Sequence, residues 1–324
     1  MSQPRVLVFE RIDPTDESLD WLVRQGMEVT RGRVMWEPGF RRYTEAEIVA
    51  EAAGYDAVMG ASGAHFTRPV IEALPALKFI SKFGIGVDSI DLPVATAHGI
   101  RVSNTPVDTQ VGPVCEHAIA LMLALTKRLL DWTPQYMRAG GWRSDIFAGI
   151  VAGQTIGIVG LGRIGRGVAA RLAGWDATLI GYDPGLTDGP PGVTLCDLPE
   201  LLARSDVVTL HAAPSPDNRR MIDAAALASM KPTALLINTG RAWLVDQTAL
   251  RHALETRQIA GAGIDVFETE PPDPADPLFR LPNLLATPHA AAWTLDGMKN
   301  MGWTGARNLW AMVSGQGAAH VVNP

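Results

Sequence analysis

The sequence predicts an α/β protein built on doubly wound parallel sheets. Three observations carry this. Short β-branched apolar runs alternate with helical segments along almost the whole chain, over connections of a few residues. One run, at 155–159, leads into glycines at 160, 162 and 165 and then into a helical pattern. A second strand pattern follows and ends on an acid, Asp183. A length of 324 residues allows two domains, each with its own core.

Taken in order, the first hundred residues read as strand 5–9, helix 15–25, strand 29–34, helix 44–53, strand 57–59, helix 68–74, strand 77–80 and helix 92–98. Leu19, Leu22 and Val23 give the first helix its apolar face. Thr44-Glu45-Ala46-Glu47 is a capping-box start, in which the Glu47 N–H donates to Thr44. Residues 101–106 read as a crossing segment. A long helix is expected over 113–130, with Pro113 in its first turn, where a missing N–H removes no bond. Its near-continuous apolar face points to burial between domains or at a subunit interface. The segment 132–147, with Trp132 and Trp142, has little periodicity and reads as an arm for packing on a second subunit. Strand 155–159, helix 165–174 (with Val168, Ala169 and Leu172 on one face) and strand 177–182 come next. Then follow strands 207–210 and 234–237, helix 246–256, strands 259–266 and 284–286, and helix 298–314. If the last helix returns to the first domain, that domain is discontinuous: 1–103 with 292–324, around a second domain at 104–291.

Each residue of the glycine-rich turn has a physical task. Gly160 permits the tight strand-to-helix turn, Gly162 lets a pyrophosphate approach the backbone, and Gly165 allows the helix to pack close to the strand. The helix N-terminus offers unpaired N–H groups and a partial positive charge to phosphates. Asp183, 18 residues beyond Gly165, is placed to accept from an adenine ribose 2′-hydroxyl and to repel a 2′-phosphate. The expected cofactor is therefore NAD rather than NADP, on a Rossmann-type sheet.

Composition excludes several classes. Hydrophobic residues make up 47% and charged residues 19%, as in an ordinary globular protein. A net charge of −6 gives no electrostatic case for nucleic acid or an anionic membrane. The longest helical apolar run, 118–125, is far short of the ~20 residues that span a bilayer. The N-terminus has no signal-peptide pattern. Cys115 and Cys196 sit in apolar surroundings without C-x-x-C spacing. They read as buried thiols of a cytoplasmic protein, not as a disulfide or metal site.

Three polar residues fall at predicted strand ends: Arg241 after Asn238-Thr239-Gly240, Glu270 in Glu268-Thr269-Glu270-Pro271, and His289 in Thr287-Pro288-His289. Ligands of open α/β sheets bind at the carboxyl ends of the strands. Their chemistry is complementary. A His exchanges a proton near neutral pH, a carboxylate beside it orients the ring and favours the imidazolium, and an Arg offers a planar cationic fork to a carboxylate. Together they suit reduction of a 2-keto acid, in which a nicotinamide supplies the hydride.

Several blocks extend this over nearly the whole length: Lys82-Phe-Gly-Ile-Gly-Val-Asp88, Asn104-Thr-Pro, Cys115-Glu-His-Ala118, Gly157 to Gly165, Asn238-Thr-Gly-Arg241, Gly263 to Pro271, Thr287-Pro-His289 and the terminal Val-Asn-Pro. In these the chain resembles the NAD-dependent D-2-hydroxyacid dehydrogenases, the family of phosphoglycerate, glycerate and D-lactate dehydrogenases. The resemblance implies His289 as the acid–base, Glu270 as its partner and Arg241 as the carboxylate and carbonyl ligand. It implies that Ile85 and Gly86 bind the substrate carboxylate through backbone N–H groups, with Lys82 bordering that loop. Arg163 and Ile164 match pyrophosphate contacts, and Thr239 and Asp265 positions near the nicotinamide. Ala212, Gly240 and Ala292 complete the expected cofactor contacts. A discontinuous, flavodoxin-like substrate domain and a homodimer formed through the cofactor domain are also implied.

The chain departs from the family pattern in places. Ala213 stands where Pro is frequent, with Pro214 one step later, which bears on the adenine-side loop. Ala61 replaces an Arg of some phosphoglycerate-type members and argues against a phosphorylated substrate, unless Lys82 supplies that charge. Trp293 is larger than the usual residue. With the sequence stopping at residue 324, the extra regulatory domain of some phosphoglycerate-type members is expected to be absent. Phosphite- or phosphonate-type oxidation on the same scaffold, and an NADH-sensing corepressor-like protein, stand as alternatives.

Overall fold

The computed structural model describes residues 3–37, 42–106, 108–142 and 146–323 and divides into two units. Residues 1–110 with 293–324 form the first unit and residues 111–292 the second.

The first unit holds strands β1 (Arg5–Arg11), β2 (Glu28–Val34), β3 (Ala57–Gly60), β4 (Phe79–Lys82) and β5 (Arg101–Ser103). They are parallel, in the order β2-β1-β3-β4-β5, which is the flavodoxin-like order. The central strands are mostly apolar because helices cover both faces. Val6, Val8 and Met59 pack against Leu19 and Leu22 and against Met298, Met301 and Leu309 of the C-terminal helix Leu295–Ser314. Leu7, Val58 and Ile80 pack against Ile48, Val70 and Val94 on the other face. Edge strand β2 instead carries Glu28, Arg31 and Arg33, charges that discourage further pairing. The helix Glu45–Ala52 has the expected capping box, with Thr44 and Glu47 bonded in both directions.

The C-terminal segment is built into this unit. Ser81 Oγ donates to the Gly305 carbonyl at 2.9 Å. A Cβ on Gly305 would lie 2.9 Å from the Phe83 ring, so only glycine allows the approach. The buried Asn323 accepts from Val102 N–H at 2.7 Å and donates to Thr96 Oγ1 and the Ile100 carbonyl at 2.9 and 2.8 Å.

The second unit holds β6 (Thr155–Val159), β7 (Thr178–Tyr182), β8 (Val193–Leu195), β9 (Val207–Leu210), β10 (Leu235–Asn238), β11 (Gly261–Ile264) and β12 (Leu284–Ala286). Their order is β12-β11-β10-β9-β6-β7-β8, parallel throughout. Chain order reverses between β6 and β9, as in a Rossmann sheet. The register aligns Tyr182, Val159, Leu210, Asn238, Ile264 and Ala286 in one row across six strands.

Several elements differ from the sequence expectation. The crossing segment begins with edge strand β5, and β8 was not expected. Each is three residues long, too short to show an alternation. The helices Pro134–Arg138, Leu198–Arg204 and Ala224–Ser229 are likewise too short for a 3.6-residue period to stand out. The long helix is Asp108–Thr126, so Pro113 lies inside it and not in its first turn. Its apolar face is buried within the second unit, where Cys115, Ala118, Leu121 and Met122 join Val168 and Leu172 in one cluster. Cys196 is half-buried, unlike Cys115. Residues 143–145 of the expected arm and the terminal Pro324 lie outside the described residues.

Replacing Asn323 by Ala leaves the Val102 N–H and the Ile100 carbonyl without their partners. The expected cost is about 1–3 kcal/mol, read as a lower urea midpoint for the unit that contains β5. An unchanged midpoint would show that the tail does not brace the sheet.

Candidate active site

The aligned row of strand ends decides which residues can meet in the second unit. The next residue of each chain segment is Asp183, Gly160, His211, Thr239, Asp265 or Thr287, so one sheet edge collects them. Adjacent positions are spaced by about 4.8 Å.

The glycines act as the motif requires. Gly160 has φ +87°, and a Cβ there would lie 2.4 Å from Ala212 N. A Cβ on Gly165 would lie 2.0 Å from the Gly160 carbonyl oxygen, which fixes the close packing of helix Arg163–Leu172 on β6. At Gly162, the N-cap, a Cβ would meet nothing within 4 Å. The open space faces a helix start, where Arg163 and Ile164 supply the first backbone N–H groups. Asp183 stands beside it: its Oδ2 accepts from Leu161 N–H at 2.8 Å and its Oδ1 from Gly185 N–H at 3.0 Å. Each oxygen keeps a further lone pair for a ribose hydroxyl. Two buried polar atoms at the row, His211 Nδ1 and Thr239 Oγ1, have no partner. An open cradle, a helix start, a placed carboxylate and two unsatisfied polar atoms fit a dinucleotide.

Arg241 is set by a turn that Asn238 braces. The buried Asn238 donates to the Arg241 carbonyl at 3.0 Å and accepts from Gly240 N–H at 3.1 Å. Arg241 Nη1 donates to the Gly240 carbonyl at 2.9 Å, which fixes one edge of the guanidinium.

His289 is set by a buried carboxylate. Asp265, 0% exposed, accepts from Thr287 Oγ1 at 2.6 Å, Ala290 N–H at 2.7 Å and Ala291 N–H at 2.9 Å. His117 Nε2 meets Thr287 Oγ1 at 2.9 Å. Between these anchors His289 adopts φ +53°. Its Nδ1 lies 2.8 Å from Glu270 Oε2, while Glu270 Oε1 accepts from Phe267 N–H at 3.0 Å. Because the carboxylate accepts, Nδ1 carries the hydrogen and Nε2 is turned away for other chemistry.

The expected residues thus fall in two groups. Arg241, Glu270, His289, Gly160, Gly162, Arg163, Ile164, Gly165, Asp183, Ala212, Thr239, Gly240, Asp265 and Ala292 lie in the second unit, and Lys82, Ile85 and Gly86 in the first. The 84–86 loop follows β4. It is held by Asn104 Nδ2, which donates to the Ile85 carbonyl at 2.7 Å, and by Thr105 Oγ1, which accepts from Gly84 N–H at 2.8 Å. Sequence reasoning gave no role to Asn238, His117 or Thr287. All three occur in the quoted motif blocks, but their task is to hold other residues, which residue type alone does not reveal. Asp265, expected against the nicotinamide, has both oxygens engaged by the 287–291 loop.

Residues 119–291 match the family model described as "D-isomer specific 2-hydroxyacid dehydrogenase, NAD binding domain". The chain is 34% identical to a D-3-phosphoglycerate dehydrogenase of Archaeoglobus fulgidus, over 98% of this chain and 59% of that protein. It is 34% identical to a glyoxylate reductase of Thermofilum pendens, over 100% of this chain and 95% of that one. Its span is thus under two thirds of the phosphoglycerate enzyme's length. The crystal structure of the TT0316 protein from Thermus thermophilus superposes with a TM-score of 0.88 at 32% identity, covering 98% and 99% of the two chains.

His211 makes one part of this edge pH-sensitive. Its Nε2 meets Thr209 Oγ1 at 2.9 Å while Nδ1 is shielded without a partner, and burial holds its pKa down to about 4. The unfolded chain takes up a proton near the ordinary value of 6.5, whereas the folded chain waits until about 4. Stability from this group is therefore complete above pH 6.5 and is lost as pH falls towards 4. Denaturant titrations across that window should fall less steeply with acidification for His211→Gln than for the unaltered chain; parallel slopes would contradict the assignment.

Proposed function

We propose that this chain, which belongs to the D-isomer-specific 2-hydroxyacid dehydrogenase family, catalyses the NAD-dependent interconversion of a D-2-hydroxy acid and its 2-keto acid. The observation that carries this is the Glu270–His289 pair at 2.8 Å, on the same sheet edge as Arg241 and the glycine cradle.

NAD, when bound, supplies or accepts the hydride. The residues do the rest. His289 Nε2 gives a proton to the carbonyl oxygen during reduction and takes the hydroxyl proton during oxidation. Glu270 fixes the tautomer through Nδ1 and offsets the charge that the ring gains. Arg241 binds the substrate carboxylate and polarises the carbonyl with its planar fork. The Ile85 and Gly86 N–H groups are assigned to the same carboxylate, with Lys82 adding positive charge nearby. Gly160, Gly162, Arg163, Ile164 and Gly165 receive the pyrophosphate. Asp183 receives the ribose and disfavours a 2′-phosphate. Ala212, Thr239, Gly240 and Ala292 line the remainder of the cofactor site, and Asp265 holds the loop beside it.

A homodimer is part of the proposal. Trp142, Phe147 and Ile150 are 72%, 82% and 62% exposed, a run of large apolar surface in the second unit that a second copy would cover. Among the described residues no helix is long and apolar enough to cross a membrane. The two free cysteines accord with a cytoplasmic setting.

His289→Ala should lower kcat for 2-keto acid reduction by about 10²-fold or more while NADH affinity, measured by fluorescence titration, changes little. A variant with ordinary turnover would remove His289 from proton transfer. Asp183→Ala should reduce the preference for NADH over NADPH in kcat/KM by about tenfold, the loss of one charge-assisted contact. An unchanged ratio would take Asp183 out of the ribose site.

A further inference from the structure

The first unit contains a cavity of about 310 Å³ that the proton chemistry leaves unused. It is lined by Pro14, Trp36, Trp293, Thr294, Leu295 and Met298. Five of the six are apolar. Trp36, Trp293 and Leu295 are 46%, 42% and 72% exposed, large apolar surface that folding alone leaves uncovered. Among the described residues no charged residue lines it.

Its place in the fold is informative. Pro14 follows β1 and Trp36 follows β2, so the cavity opens at the carboxyl ends of parallel strands, where open α/β sheets take ligands. The 84–86 loop, assigned above to the substrate carboxylate, lies at the same end of the same sheet, after β4. In the order β2-β1-β3-β4-β5, β1 and β4 are two strand spacings apart, about 10 Å. That distance suits an extended side chain. Trp293 is also tethered to the chemistry through the chain. Only three residues stand between it and His289, so the chain keeps their Cα atoms within about 14 Å of each other.

We propose that the Trp36–Trp293–Leu295 cavity is the side-chain subsite of the substrate, and that the substrate class is a 2-keto or D-2-hydroxy acid with an extended apolar or aromatic side chain. This rests on the reaction proposed above. A second anionic group on the substrate is disfavoured. Among the described residues the cavity lining offers no cation to pair with one.

The test is NADH oxidation by the intact protein with phenylpyruvate, 4-methyl-2-oxopentanoate, 2-oxoglutarate and glyoxylate. The expected kcat/KM for the first two exceeds that for glyoxylate by tenfold or more. Trp36→Ala and Trp293→Ala should each cut that ratio by at least fivefold, since a pocket contact contributes discrimination of this order. Should a tryptophan variant fold poorly, Leu295→Lys, at a highly exposed position, serves independently. It should raise the rate with 2-oxoglutarate relative to phenylpyruvate by fivefold or more. Turnover that favours glyoxylate or 2-oxoglutarate in the unaltered protein, or ratios that none of the variants moves, would overturn the subsite and leave the reaction standing. No turnover of any of the four would overturn the reaction, and the subsite with it.

Discussion

The second unit depends on one constraint, the parallel register that ends six strands in a single row. Helices cover a parallel sheet on both faces, so the only backbone open to a ligand lies at the strand ends. Because Tyr182, Val159, Leu210, Asn238, Ile264 and Ala286 are paired in line, residues far apart in sequence become neighbours about 4.8 Å apart. A slip of one residue in β11 or β12 would turn Asp265 or Thr287 to the opposite face. The buried run of apolar side chains in β6, β9 and β10 therefore fixes the position of polar residues it never touches.

The same edge has to satisfy a buried charge. Asp265 is stabilised by three donors, and two of them are the N–H groups of Ala290 and Ala291. The left-handed backbone of His289 costs on the order of 1–2 kcal/mol for a non-glycine residue. Charge-assisted hydrogen bonds to Asp265, about 1.5–3 kcal/mol each, are enough to offset it. Glu270 is held from the other side by the Phe267 N–H. The imidazole thus meets its carboxylate partner between two anchored segments and needs no rearrangement to use Nε2.

Much of this was legible in the sequence, for reasons specific to each element. The limits of β6, β9 and β12 could be read directly because each is a short run of apolar and β-branched residues. The glycine spacing marked the strand-to-helix turn because Gly160 and Gly165 answer steric demands that no other residue meets, as the 2.0 Å approach at Gly165 shows. Arg241, Glu270 and His289 were visible because each stands within a few residues of a strand end. What sequence could not supply was the role of residues that act through others. Asn238 becomes meaningful only when the turn folds Arg241 back over its side chain, and His117 and Thr287 only when packing and register place Thr287 between His117 and Asp265. Pro113 misled for a related reason. Position preference favours the first turn, but burial of Cys115, Ala118 and Met122 stabilises the helix enough to carry a proline in its interior.

The cavity of the first unit illustrates the same limit at longer range. Trp36 and Trp293 are separated by 257 residues, and each alone is an ordinary surface tryptophan. They line one cavity because the C-terminal segment folds back into the first unit, with Ser81 bonded to the Gly305 carbonyl and Asn323 bonded to β5. The discontinuity of that unit is thus the condition for the pocket. In the proposed reaction, proton transfer depends on polar residues clamped to strand ends of the second unit, whereas the proposed subsite depends on apolar side chains at an edge of the first. On the proposed reading, substitutions at positions 36, 293 and 295 alter side-chain selection without disturbing the Asp265 and Glu270 bonds that hold His289.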